Sequence, residues 1–371
     1  MNIENLLLKH TITKAKVGSI PYLEIGDIDL SSKLYELKEK SSVIGAVLAK
    51  KNNILVSTVR PTRGAITILS DDNLAVSNAF AVLPVNESIC LPKYLFYSIN
   101  NKKFFRYLGM NSRGATYPTC SKKDILEYTD VHQMPMVKQQ MVVDAFDGIN
   151  EIINRRKLQL IEYDHLIKSR FVEIFGDIFN GKSNYSTIKI SEAVVPKIER
   201  AKKDFNADDE IKYLDISSVD NGKNIIIGYT DYLMKDAPSR AQQHLRKDDI
   251  VISTVRPNLN NVAKVTHDYS NIVASSGFCV LRASKVEPNF LFALVSMQSF
   301  ADHLASLTTG ANYPAVSDKD ILNFEIPNAP FEEQTKFSDF IKQVDKLKVS
   351  IQKSLDETQT LFDSLMQKYF G

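Results

Sequence analysis

The chain has 371 residues, 44% hydrophobic and 24% charged, with a formal net charge of +2. That length exceeds what one hydrophobic core usually serves and predicts two domains, while so small a net charge excludes a wholesale basic coat and makes any nucleic-acid surface local. Three cysteines without paired spacing, Cys90, Cys120 and Cys279, argue for a reducing compartment, and no run approaches the ~18 apolar residues of a membrane span, so a cytoplasmic protein is expected.

From the amino terminus, short runs rich in Val, Ile and Thr alternate with polar clusters. ILVSTV (54–59), AITIL (65–69) and AFAVL (79–83) read as strands. A proline then opens a helix-like stretch over 92–108, in which Leu95, Ile99, Phe105 and Leu108 recur near helical spacing. The block RGATYP follows at 113–118. From Val137 to Ile174 there is no proline, and Gly148 is the single glycine. Apolar residues fall seven apart there, at Phe146, Ile153, Leu160, Ile167 and Ile174, beside a second seam with Val142, Ile149 and Tyr163. A sustained seven-residue period predicts a helix of about 38 residues, roughly 57 Å long, packing along another helix.

The chain then repeats itself. IVISTVRP (250–257) lies 196 residues after ILVSTVRP (54–61), with six of eight positions identical. At the same shift TGANYP (309–314) falls over RGATYP, and DIL recurs at 124–126 and 320–322. With small slips SSGFCVL (275–281) matches SNAFAVL (77–83), and late in each half Gln334 matches Gln140. The carboxyl-terminal tail repeats the heptads with Phe337, Val344, Ile351 and Leu365, and with Phe340, Leu347 and Leu361. A period near 195 is far beyond the roughly 20–50 residues of a solenoid unit, so each copy is a domain with a helical appendage. The expected fold is α+β: two pseudo-twofold-related α/β domains separated by two long antiparallel coiled-coil helices. The helices would pair through Phe146, Ile149, Ile153, Leu160 and Ile167 against Phe340, Val344, Leu347, Ile351 and Leu365. Arg156 and Thr358 interrupt the heptads, either as tolerated polar positions or as a place where a third protein docks.

Reaction motifs are missing. There is no Pro-Pro dipeptide and no pair of glycines separated by one residue, so methyl-donor and nucleotide cradles are absent. Gly109 and Gly114 have P-loop spacing but are followed by Ala115 and Thr116. No H-E-x-x-H or C-x-x-C occurs. No catalytic or metal-binding residue is expected, and a binder is favoured over a catalyst.

The arrangement resembles the specificity subunit of type I restriction–modification systems over nearly the whole chain. DIVISTVRP (249–257) and its twin, the G-A-x-Y-P blocks at 114–118 and 310–314, and IPNAPFEEQ (326–334) leading into the long helix carry the resemblance. The first copy departs from it at HQMPMVKQQ (132–140). The resemblance implies target recognition domains at 1–135 and 178–329, a central long helix at 136–177 and a C-terminal one at 330–371. Each recognition domain would read one half of a bipartite site in double-stranded DNA. The paired helices would set the spacer and dock two methyltransferase subunits. S-adenosylmethionine, ATP and Mg²⁺ would reside on the methyltransferase and motor–nuclease subunits, with no cofactor in this chain. A modification-only complex, a standalone catalyst with a hidden motif and a coiled-coil scaffold without DNA reading are the alternatives.

Reading DNA requires side chains that reach base edges and others that hold phosphates. In the first copy the candidates are Thr58, Arg60, Arg63, Arg113, Thr116 and Tyr117. In the second they are Lys202, Lys203, Thr254, Arg256, Asn258, Asn260, Asn312 and Tyr313. Arg60 and Arg256 are shared by both copies, which suits a phosphate or scaffold contact. Positions that differ, such as Arg63 against Leu259, suit specificity.

Overall fold

Strand Ile54–Ser57 lies at the centre of a three-stranded antiparallel sheet, between Ile66–Ile68 and Phe80–Leu83. Its side chains alternate between two apolar environments. Ile54 and Val56 join Leu95, Phe104 and Leu108 of the following helices, whereas Leu55 joins Leu23, Leu74 and Val76 of a second sheet. A strand buried on both faces reads as a continuous apolar run rather than an alternating one, which is why ILV stands where IxV would otherwise suffice. The second sheet has four strands, in the spatial order Lys38–Lys40, Ile20–Leu23, Leu74–Val76 and Val47–Ala49, with the middle pair parallel.

The computed structural model describes residues 1–9, 20–40, 45–308 and 314–371. The chain divides into two compact units, Met1–Lys157 with Lys353–Gly371, and Leu158–Gln352. The second unit builds the same layers. Ile250–Ser253 sits between Val262–Lys264 and Phe278–Leu281. Its four-stranded sheet runs Thr230–Leu233, Glu210–Leu214, Ile272–Ser275, Ala241–Leu245, again with a parallel middle pair. Ile250 and Ile252 face the helices, and Val251 faces the other sheet. The repeat in sequence is thus a repeat of topology.

The single helix-like stretch expected over 92–108 is two helices, Pro92–Ile99 and Lys102–Met110. Asn101 causes the break: its side chain accepts from the Phe104 amide and donates to the Ser98 carbonyl, capping one helix and closing the other. The second unit has Pro288–Val295 and Gln298–Ser306 in the same places.

Two forty-residue helices, Met136–Phe175 and Phe331–Phe370, complete the chain. Within each unit their segments run antiparallel. In the first unit Phe146 stacks on Phe370 at 5.8 Å and meets the edge of Phe362 at 5.2 Å, with Tyr97 of the globule at 5.0 Å. In the second, Phe171 and Phe175 of one helix, Phe337 of the other and Phe290 of the globule form a buried quartet with centroids 4.6–5.6 Å apart. Of the heptad residues, Phe146, Ile153 and Val344 are buried, and Ile149, Leu160, Ile167, Phe340, Ile351 and Leu365 are half-buried. Leu347 and Leu361 do not lie in the seam: each is 51% exposed.

Gln140 is likewise not the partner of Gln334. The equivalent residue is Gln139, only 1% exposed, which accepts from the Leu91 amide and donates to the Met134 and Ile89 carbonyls. Gln334, 2% exposed, accepts from the Glu287 amide and donates to the Ala329 carbonyl. Each glutamine ties the start of a long helix to the residue that precedes a globule helix.

Candidate functional site

The phrase S-T-V-R-P builds the same device in both units. The Ser57 hydroxyl donates to the Val59 carbonyl, and the Ser253 hydroxyl to the Val255 carbonyl. Thr58 donates to the Ala79 carbonyl at 2.7 Å and Thr254 to the Gly277 carbonyl at 3.0 Å. Arg60 and Arg256 then adopt left-handed backbone at φ +46° and +49°, rare for residues with a Cβ. The reversal seats a buried proline at the start of a one-turn 3-10 helix, Pro61–Arg63 or Pro257–Leu259. The strained arginine is held by its amide, which donates to the Pro118 carbonyl at 2.7 Å or the Pro314 carbonyl at 2.8 Å. The Y-P block therefore exists to receive the R-P turn.

In the first unit Arg113 and Thr119 exchange both backbone hydrogen bonds, and Gly114 takes φ +98° at the start of the loop between them. This hairpin brings Thr116 and Tyr117 over the turn. The Arg60 guanidinium lies 4.3 Å from the Tyr117 ring centroid and donates to the Thr116 carbonyl at 3.3 Å. Tyr117 is 63% exposed, so the pair presents an aromatic side chain backed by a cation. Arg63 stands exposed three residues along.

In the second unit Arg256 and Asn258 are exposed on the equivalent turn. Asn260 points inward: its amide donates to the Ser296 carbonyl at 2.9 Å, fixing the turn to the helix pair beneath. Lys202 and Lys203 are exposed but lie elsewhere, on the short helix Ala201–Asp204, whose Ala201 is buried with Ile211, Tyr213 and Val273. Asn312 and Tyr313 lie outside the described residues.

Residues 184–358 match the family described as the type I restriction modification DNA specificity domain. The MjaVIII specificity subunit of Methanocaldococcus jannaschii is 23% identical over 351 residues, covering 89% of this chain and 80% of its own length. The chain is similar to the specificity subunits of type I restriction enzymes over most of its length. The EcoDI specificity subunit of Escherichia coli is 20% identical over 334 residues, covering 79% of this chain and 72% of its own. A solved structure from work on assembly and conformational transition of the type I R-M system covers the whole chain at TM-score 0.60 and 17% identity. The type I S subunit of M. genitalium does so at TM-score 0.55 and 14% identity. These likenesses show the fold.

The turns also have supports that the sequence reading missed. Lys33, in left-handed backbone, donates its ammonium to the Gly64 carbonyl at 2.8 Å, and burial pushes its pKa down. Asn221 and Asn224 donate to the Leu259 and Asn260 carbonyls. Both sit on a small hairpin, Val219–Asp220 with Ile225–Ile226, whose Asn-Gly at 221–222 is a recognisable turn signal. An ion network, buried at Asp249 and Arg282 and open to solvent at Glu199 and Arg246, stiffens the second unit. Arg282 grips Asp249 bidentately at 2.7 and 2.8 Å, and Glu199 bridges Arg282 at 2.5 Å and Arg246 at 2.9 Å. Strand register places Pro84 in the first unit where Arg282 stands in the second. Among the described residues no helix is long and apolar enough to cross a membrane, and no group of three or more His, Cys, Asp or Glu is placed to hold a metal.

Proposed function

We propose that this chain is the non-catalytic, DNA-reading subunit of a cytoplasmic type I restriction–modification complex active in phage defence. Each of the two target recognition domains, 1–135 and 178–329, reads one half of a bipartite site in double-stranded DNA. The helices at 136–177 and 330–371 set the unread spacer and dock two methyltransferase subunits, which bring S-adenosylmethionine. A motor–nuclease subunit adds ATP and Mg²⁺ chemistry where one is present.

The observation that carries this reading is that one layered unit, with its R-P turn, is built twice in a single chain. Apolar residues left exposed along the long helices, among them Val137, Met141 and Ile152 in the first unit and Leu158, Ile161 and Val349 in the second, supply surface for partner subunits. Around the turns, Arg60 with Arg113, Thr116 and Tyr117, and Arg256 in the second unit, hold the DNA backbone and register, and Asn312 and Tyr313, outside the described residues, are proposed to share that role. Lys202 and Lys203 add phosphate contacts, while Thr58, Thr254 and Asn260 support the turn from within.

Genome-wide methylation mapping with and without this gene tests the reading. Loss of a split adenine-methylated motif on deletion supports it, and an unchanged methylome refutes it.

A further inference from the structure

The two R-P turns share one backbone and differ only at their tips. Each opens on a left-handed arginine and closes on a second left-handed residue, Gly64 at φ +72° or Asn260 at φ +52°. Most of what is identical between them goes into construction: the serine and threonine hydroxyls on carbonyls, the proline in the core, the arginine amide on the Y-P block; the shared arginine side chains are left for the backbone contacts proposed above. The turns are also braced from below. Thr62 packs so closely on Gly109 that a Cβ there would come within 2.7 Å of its methyl, and Lys33 holds Gly64. In the second unit Asn221, Asn224 and Asn260 take up the same task. The exposed positions that differ are two adjacent side chains per turn, Thr62 and Arg63 in one, Asn258 and Leu259 in the other. Leu259 is 43% exposed, so its aliphatic side chain is open to contact on the turn's surface.

A rigid turn that varies only at its tip is what base reading requires, because a side chain discriminates in proportion to how firmly it is held. We infer that Arg63 reads a guanine in one half-site, and that Asn258 reads an adenine in the other with Leu259 against a neighbouring thymine methyl. The chemistry follows the major-groove code: a guanidinium fork matches the O6 and N7 acceptors of guanine, a carboxamide matches the N6 donor and N7 acceptor of adenine, and an aliphatic group suits the thymine C5-methyl. This inference rests on the DNA-reading role proposed above.

The test uses the complete complex with its methyltransferase partner, mapping methylated sites for the unaltered chain and for Arg63→Ala, Arg63→Lys and Asn258→Ala. Arg63→Ala is expected to relax one guanine position in one half-site by roughly tenfold or more, leaving the other half intact as an internal check on folding. Arg63→Lys relaxes the same position, since an ammonium keeps the charge but lacks the fork. Asn258→Ala relaxes a position in the opposite half-site. Full wild-type specificity in Arg63→Lys assigns the arginine to phosphate and overturns the inference, as does relaxation of the same half-site by both alanine variants. An unaltered complex that methylates no bipartite motif overturns the underlying DNA-reading role and this assignment with it.

Discussion

The guanidinium of Arg156 donates to the hydroxyl of Thr358, and to the carbonyl of Ser354 at 2.5 Å. The two residues that interrupt the heptads are therefore each other's partner across the helices of the first unit. A charged donor bonded in a half-buried seam contributes roughly 1.5–3 kcal/mol relative to its truncation. Arg156→Ala should lower the calorimetric melting temperature by several degrees. Replacing both residues by leucine should recover most of the loss, since apolar packing substitutes well for a paired polar rung. A double replacement as unstable as the single one would contradict the pairing.

Gln139 and Gln334 give a sharper contrast with their neighbours. Gln139→Ala strands the Leu91 amide and two carbonyls, and Gln334→Ala strands the Glu287 amide. Each should cost about 1–3 kcal/mol in denaturant unfolding. Gln140→Ala removes an exposed contact to Asp144 and should change stability by less than about 0.5 kcal/mol.

The ion network of the second unit sets an acid limit. A hydrogen bond from its own backbone amide, and then Arg282, hold the Glu199 carboxyl below its ordinary pKa of 4.5. A depressed carboxylate contributes stability that is full above the unfolded pKa and lost as pH falls through the folded one. The stability of the second unit, measured by unfolding at a series of pH values, should therefore fall below about pH 4.5. In Glu199→Gln that acid loss should be smaller. Arg282→Met leaves the Asp249 carboxylate buried without its partner and should cost roughly 3–5 kcal/mol at neutral pH.

Phe171→Ala opens the aromatic quartet of the second unit, where the ring is 1% exposed, and should cost about 3–5 kcal/mol. Leu347→Ala, on the solvent side of its helix, should cost less than about 0.5 kcal/mol. Equal losses in the two variants, measured by chemical denaturation, would place Leu347 back in the seam.

By itself the sequence determined what depends on short range or on repetition. The strands Ile54–Ser57 and Ile250–Ser253 are legible because a strand covered on both faces needs continuous aliphatic residues. The long helices are legible from an unbroken run without proline, and the twofold construction from one phrase written twice. The tertiary structure alone decided which polar residues build the site and which support it. Thr58, Thr254 and Asn260 have the chemistry of base readers, yet their donors are spent on carbonyls of chain segments distant in sequence. Arg156 and Thr358 looked like flaws because the bonds from Arg156 to Thr358 and Ser354 form only across two helices, between residues up to 202 apart in sequence. A hydrogen bond has direction and a length of about 3 Å, so which partner a polar side chain finds is a property of the folded chain. Hydrophobic periodicity has neither constraint and is written along the sequence.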